Sequence, residues 1–200
     1  LHESLALERP IAFFDIEATG INPRQDRIVE LAVIRLMPDG TTPTNVFRIN
    51  PTVPIPAEST AIHGITDEDV ASCPTFEKLA PEIFSVFSGC DLGGYNLLRY
   101  DIPLLTEEFA RCDFTFSKEG RRIVDAQRIF HQKEPRDLSA ALAFYCDDDH
   151  TGAHGAEADT LATIRVVEGQ LRRYRDLPRD LDALSVFCDT RDPSWVDDQG

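Results

Sequence analysis

The sequence predicts an α/β fold in which a five-stranded mixed sheet is flanked by helices, within one domain over residues 1–174 followed by an accessory tail at 175–200. Three observations carry this prediction. Three apolar, β-branched segments open the chain, joined by short turn-like links. After about residue 74, short strand-like segments alternate with segments of helical period. An apolar fraction of 42% with 28% charged residues suits a globular core under a polar surface.

The first strand is expected at about 10–17, where Ile11, Phe13, Phe14 and Ile16 favour a strand and Thr19-Gly20 with Asn22-Pro23 ends it. The second is 27–36, the third 44–49 after the turn Pro38-Asp39-Gly40, and the short links imply an antiparallel meander. Three prolines at 51–56 imply an extended loop. Thr66-Asp67-Glu68-Asp69 has the pattern of a capped short helix. A longer helix follows to Phe87, with Phe76, Leu79, Ala80, Ile83, Phe84 and Phe87 in phase and a bend expected at Pro81. Residues 91–96 form a short strand and 101–111 a helix with Leu104, Leu105 and Phe109 inward; 123–125 is the fifth strand. Helices are expected at 126–132, 138–146 and 155–174, the last with an inner stripe of Leu161, Ile164, Val167 and Leu171 interrupted by Glu168. The tail carries one weak helix at 180–187.

Composition excludes several classes. No apolar run is long enough to span a bilayer and no signal-peptide pattern is present, so no membrane association is expected. The chain begins at Leu1, not Met, which points to a trimmed start. Five scattered cysteines form neither a zinc knuckle nor a redox pair and fit reduced thiols in the cytoplasm. A net charge of −15 argues against coating long nucleic acid with a basic face, but leaves room for a small acidic site that reaches phosphate through metal ions.

The chemistry is sought in the first strand. Asp15 and Glu17 are two apart and therefore share one face, about 7 Å apart, while Ala12, Phe14 and Ile16 share the other. Such a pair is exposed, charge-paired or metal-bound, because burying unpaired charge is costly; a strand end emerging into solvent would also account for it. Asn96 and Asp101 stand at a strand-to-helix junction, where sites in α/β proteins gather, although an acid at a helix start also suits the helix dipole. His154 precedes the last helix and Asp159 lies in its early turns; Glu157 points nearly opposite to Asp159 and is set aside. Together Asp15, Glu17, Asp101 and Asp159 make a hard oxygen donor set suited to Mg²⁺ or Mn²⁺. Two such ions would neutralise the acids and clamp a phosphate, and a neutral His154 nearby could accept a proton from the attacking water.

The three segments FDIEATG (14–20), GYNLLRYD (94–101) and HGAEAD (154–159), in this order, resemble the motifs of the DEDDh-type 3′–5′ exonucleases, the family of the DNA polymerase III epsilon proofreading subunit. The resemblance covers residues 10–174. It implies a ribonuclease-H-like fold, two divalent ions held by Asp15, Glu17, Asp101 and Asp159, and His154 as general base. It also places Ala18, Thr19, Gly20, His63 and Asn96 at the terminal nucleotide, and implies single-stranded nucleic-acid 3′ ends as the binding partner, with a polymerase as a possible further one. The chain departs from the usual pattern at Ala18, Tyr95 and Tyr100, where Thr, His and Phe are common. The expected activity is release of 5′-mononucleotides from DNA 3′ ends. RNA end-trimming or oligoribonucleotide degradation is the alternative within this chemistry; a haloacid-dehalogenase-like phosphatase and a non-catalytic docking subunit are the alternatives outside it. Asp125 reads as a structural hydrogen-bonding residue. His2, His131, His150 and the run Asp147–Asp149 read as solvated, and Trp195 has no assigned partner.

Overall fold

The structure, a computed structural model, describes residues 6–148 and 155–188. They pack as two compact units divided between Phe130 and His131.

The first unit is built on the expected five strands: β1 (Ile11–Ala18), β2 (Ile28–Leu36), β3 (Thr44–Arg48), β4 (Asp91–Gly94) and β5 (Ile123–Asp125). Their spatial order is β3-β2-β1-β4-β5. The first three form the antiparallel meander, and β4 and β5 add in parallel. Alternation along β1 sorts its residues as expected. Ala12, Phe14 and Ile16 are buried, while Asp15 is exposed and Glu17 half-buried.

The buried face meets aromatic side chains carried by two helices. α3 (Phe76–Phe87) sets Phe87 edge-on to Phe14 at 5.1 Å, and Phe76 meets Phe109 of α4 (Asp101–Ala110) at 5.2 Å. α3 continues through Pro81. Residues 51–56 form the expected loop, but it bends at Thr52, which takes the left-handed conformation, and the chain then forms α1 (Ala57–His63), a helix not foreseen from the sequence. It buries none of its residues, so it has no apolar stripe to betray it. α2 (Asp67–Val70) begins with the expected box: Asp69 N–H donates to the Thr66 hydroxyl and the Thr66 N–H to the Asp69 carboxylate. Val29, Ile55, Ile65 and Val70 close a small second core beneath these turns.

β1 outruns its parallel neighbour. Pairing with β4 stops at Phe13–Gly93, so residues 14–18 lack a partner on that edge. β4 ends where Gly94 abuts the Phe14 carbonyl; a Cβ there would lie 2.9 Å from that oxygen. The chain then turns away and returns at Asp101. This notch positions the site.

α5 (Ala126–Lys133) spans the division between the units. The second unit holds α6 (Leu138–Cys146), α7 (Ala156–Arg173) and α8 (Leu181–Phe187). α7 differs from expectation in the stripe it buries. Ala162, Val166 and Gly169 are buried, with Ala162 and Val166 packed with Leu142, whereas Leu161, Ile164 and Val167 are exposed. Small residues let α6 approach, and helical period alone does not choose between two apolar faces.

Candidate active site

Three of the sequence-predicted acids lie in the first unit. Asp15 and Glu17 project from the open face of β1, and Asp101 begins α4, beside the unpaired edge of β1. Only 3% of Asp101 is exposed, and its Oδ1 has no hydrogen-bond partner. Burial, and next the charge of Asp15, push its carboxyl up to about 7, even though the backbone N–H groups of Asp101 and Ile16 favour the ionised form. Ile16 belongs to the stretch of β1 that β4 leaves unpaired, so the carboxylate takes a donor there in place of a strand.

Glu17 is likewise raised, by burial first and by Asp15 second, while His63 opposes the shift. Directly across the ladder from Glu17 stands Glu30, which is paired to Arg48 at 2.8 Å. The register slips just beyond, between Glu17 and Ala18.

His63 closes α1, followed by Gly64 in the left-handed conformation. The Ile65 N–H donates to its Nδ1 at 3.0 Å, so the neutral ring carries its proton on Nε2. That nitrogen is buried and unpartnered. Asn96 sits at φ 60° after β4, its backbone N–H donated to Asp125. As expected, Asp125 is a buried acceptor, also bonded to the Gln127 N–H.

The loop after β1 is more fully occupied than its sequence suggests. Ala18 faces the core. Thr19 is 3% exposed, and its hydroxyl donates to Asp26 and accepts the Arg27 N–H, both at 3.0 Å. The Thr19 carbonyl accepts from the Ser59 hydroxyl at 2.8 Å and the Gly20 carbonyl from the Tyr100 hydroxyl at 2.7 Å. Gly20 lies so close to the Asp26 carboxylate that a Cβ would stand 2.6 Å from it. What these three residues can offer outward is therefore backbone. Two side chains beside them do face solvent: Ile21 is 87% exposed and Ile62, next to His63, 84%. Sequence reading missed Ser59, Asp26 and Tyr100 as parts of this assembly.

Asp159 lies in the second unit, half-buried in the first turns of α7, with its carbonyl accepting from the Thr163 hydroxyl. His154, expected to precede it, lies outside the described residues, as do His2, Asp149, His150 and Trp195.

Among the described residues no group of three or more His, Cys, Asp or Glu side chains is gathered closely enough to hold a metal ion. The chemistry of the donor set nevertheless fits a divalent cation. It consists of hard carboxylate oxygens, two of them on groups whose ionised forms are disfavoured by burial and mutual repulsion, and one buried oxygen without a donor. No helix among the described residues is long and apolar enough to cross a membrane.

Comparison with known proteins agrees with this layout. Residues 12–167 match the RNase_T family model, described as Exonuclease. The chain is 31% identical over 160 residues to the DNA polymerase III subunit epsilon of Rickettsia conorii, covering 76% of this chain and 69% of that protein. It is 23% identical over 172 residues to the 3′-5′ exonuclease DinG of Staphylococcus epidermidis, covering 84% of this chain but 19% of that much longer protein. Among solved structures, zinc-bound E. coli exonuclease I in complex with single-stranded DNA superposes with a TM-score of 0.55 at 23% identity, over 85% of this chain and 42% of that one. This likeness shows the fold, which is the ribonuclease-H-like one.

Proposed function

This chain belongs to the RNase_T exonuclease family, and from that premise we propose that it hydrolyses phosphodiester bonds at single-stranded DNA 3′ ends, releasing 5′-mononucleotides. The observation that carries the proposal is Asp101: a buried carboxylate with an unpartnered oxygen, raised in pKa by its burial and then by the charge of Asp15, beside a notch in the sheet.

Exonucleases of this family use divalent metals, which when bound offset phosphate charge and make water a stronger acid. Asp15, Glu17, Asp101 and Asp159 are the residues that would hold two ions, Mg²⁺ or Mn²⁺. His154 takes the proton of the attacking water. The Nε2–H of His63 and the amide of Asn96 orient the terminal nucleotide and its phosphate, and the backbone of Ala18, Thr19 and Gly20 shapes the wall beside it. Ile21 and Ile62 supply apolar surface against the terminal bases, which explains why two isoleucines stand almost fully in water. The domain responsible extends over residues 1–174, with 175–200 an accessory segment.

The test is digestion of 3′-labelled and 5′-labelled single-stranded DNA, with matched RNA, in Mg²⁺ or Mn²⁺ and in chelator. The proposal predicts immediate release of the 3′ label as mononucleotide, a stepwise ladder from the 5′ label, loss of both in chelator, and slower attack on RNA. Internal fragments, or cleavage indifferent to chelator, would overturn it; faster attack on RNA would move the substrate assignment to RNA ends.

A further inference from the structure

The β1–β2 loop, residues 19–27, is fastened to α4 and to the residues at its two ends. Glu108 lies within α4, while Tyr100 and Arg111 flank its two ends. Each holds a different part of the loop. Arg111 donates to the carbonyls of Pro23, Arg24 and Asp26 at 2.8–3.2 Å. Glu108, fully buried, accepts from the Arg27 guanidinium at 2.7 Å and from the Ile28 N–H at 3.1 Å. Tyr100 holds the end nearest the acids, its hydroxyl donating to the Gly20 carbonyl at 2.7 Å. It stands immediately before Asp101, and Gly20 is three residues past Glu17.

Of these three anchors Tyr100 lies nearest Ile21 in the chain; on its other side Asn22 donates its N–H to the Asp26 carboxylate at 2.7 Å, so Ile21 stands between two held residues. The Thr19 and Gly20 carbonyls are consecutive, the first held by Ser59 of α1 and the second by Tyr100. The next residue is Ile21. A phenylalanine at position 100 would keep the ring's packing against the core but could not make the bond.

We propose that Tyr100 is a positioning residue: its hydroxyl clamps the Gly20 carbonyl so that Ile21 is presented in one fixed place to the 3′-terminal nucleotide. This rests on the exonuclease reading above. Tyr100 does not touch the reacting atoms; it acts through Ile21. The clamp therefore contributes to holding the substrate end and not to the hydrolytic step.

The experiment is steady-state kinetics on a short single-stranded DNA with wild type, Tyr100→Phe, Ile21→Ala and the double variant, together with amide hydrogen exchange of residues 20–22. Tyr100→Phe is expected to raise KM about 5–10-fold, the effect of one hydrogen bond, with kcat changed less than about twofold. Exchange at residues 20–22 should quicken. In the Ile21→Ala background the same substitution should add almost nothing, because the two act as a unit. An unchanged KM, a fall in kcat alone, or an undiminished effect in the Ile21→Ala background would overturn the positioning role while leaving the wild-type exonuclease intact. A wild type that leaves the DNA uncut in Mg²⁺ and Mn²⁺ would instead overturn the functional reading itself, and this one with it.

Discussion

Asp125 holds the backbone of Asn96: its carboxylate accepts the Asn96 N–H at 2.9 Å, across the end of the β4–β5 pair. Asn96 is in the left-handed region, which asparagine adopts more readily than most other non-glycine residues. Asp125→Ala would strand the N–H groups of Asn96 and Gln127 and should cost about 2–3 kcal/mol of stability. Asp125→Asn keeps an acceptor and should cost less. Urea denaturation of the two variants decides this, and equal midpoints for wild type and Asp125→Ala would show that the bond is not what holds Asn96.

The acids should act against stability and for catalysis. Asp15→Asn is expected to abolish cleavage with the fold intact. Asp101→Asn should do the same and, in chelator, should raise stability by about 2 kcal/mol, since it removes a buried charge that Asp15 repels. Thermal melts in chelator provide the check. A clearly lowered melting temperature for Asp101→Asn would mean that its carboxylate stabilises the fold without any ion.

The pH dependence follows with a definite sign. A carboxyl held up to about 7 in the folded chain stays protonated where the unfolded chain has already ionised. Its contribution to metal-free stability is full below about pH 4, the ordinary carboxylate value, and is lost as pH rises through about 7. Metal binding needs the ionised form and runs the other way. Calorimetric titration with Mn²⁺ should show about tenfold tighter binding at pH 8 than at pH 6, with proton release at the lower pH. Affinity flat across that range would exclude Asp101 as a ligand.

Much of this was readable from residue order. The alternation in β1 placed Asp15 and Glu17 opposite Ala12, Phe14 and Ile16 because strand geometry leaves no other choice. The box at Thr66–Asp69 announced α2 for an equally local reason. Other features had no local signal. α1 buries nothing, so its residues carry no stripe. α7 has two apolar stripes, and only the approach of α6 selects the one with small residues. The occupation of Thr19 depends on Asp26 and Ser59, seven and forty residues away. The anchoring by Tyr100, Glu108 and Arg111, in and at the ends of α4, had no local signal either, because polar residues on or beside a helix ordinarily read as solvent-facing.

Glu108 should be among the most sensitive positions outside the site. It is fully buried and neutralised by Arg27, with Arg111 3.3 Å away. Glu108→Gln leaves Arg27 facing a neutral partner and should cost about 3 kcal/mol. The denaturation midpoint tests this; a loss under about 0.5 kcal/mol would place the pair with ordinary surface ion pairs.

With a net charge of −15, substrate binding should be local. In Ca²⁺, the Asp15→Asn variant should bind single-stranded DNA with an affinity that stops rising beyond a few nucleotides, and with a shallow salt slope, since that slope counts phosphates contacted. Affinity that climbs with length and falls steeply with salt would reveal an extended basic track.

The early end of β4 has a consequence for any attempt to strengthen this protein. Continuing β4 alongside residues 14–18 of β1 would complete the ladder, and by every rule of sheet design would be an improvement. It would also fill the gap through which Asp101 reaches Ile16. The incomplete pairing is thus a margin that selection for activity has to defend against selection for rigidity. Stabilised descendants of this chain should gain their stability anywhere but along that edge.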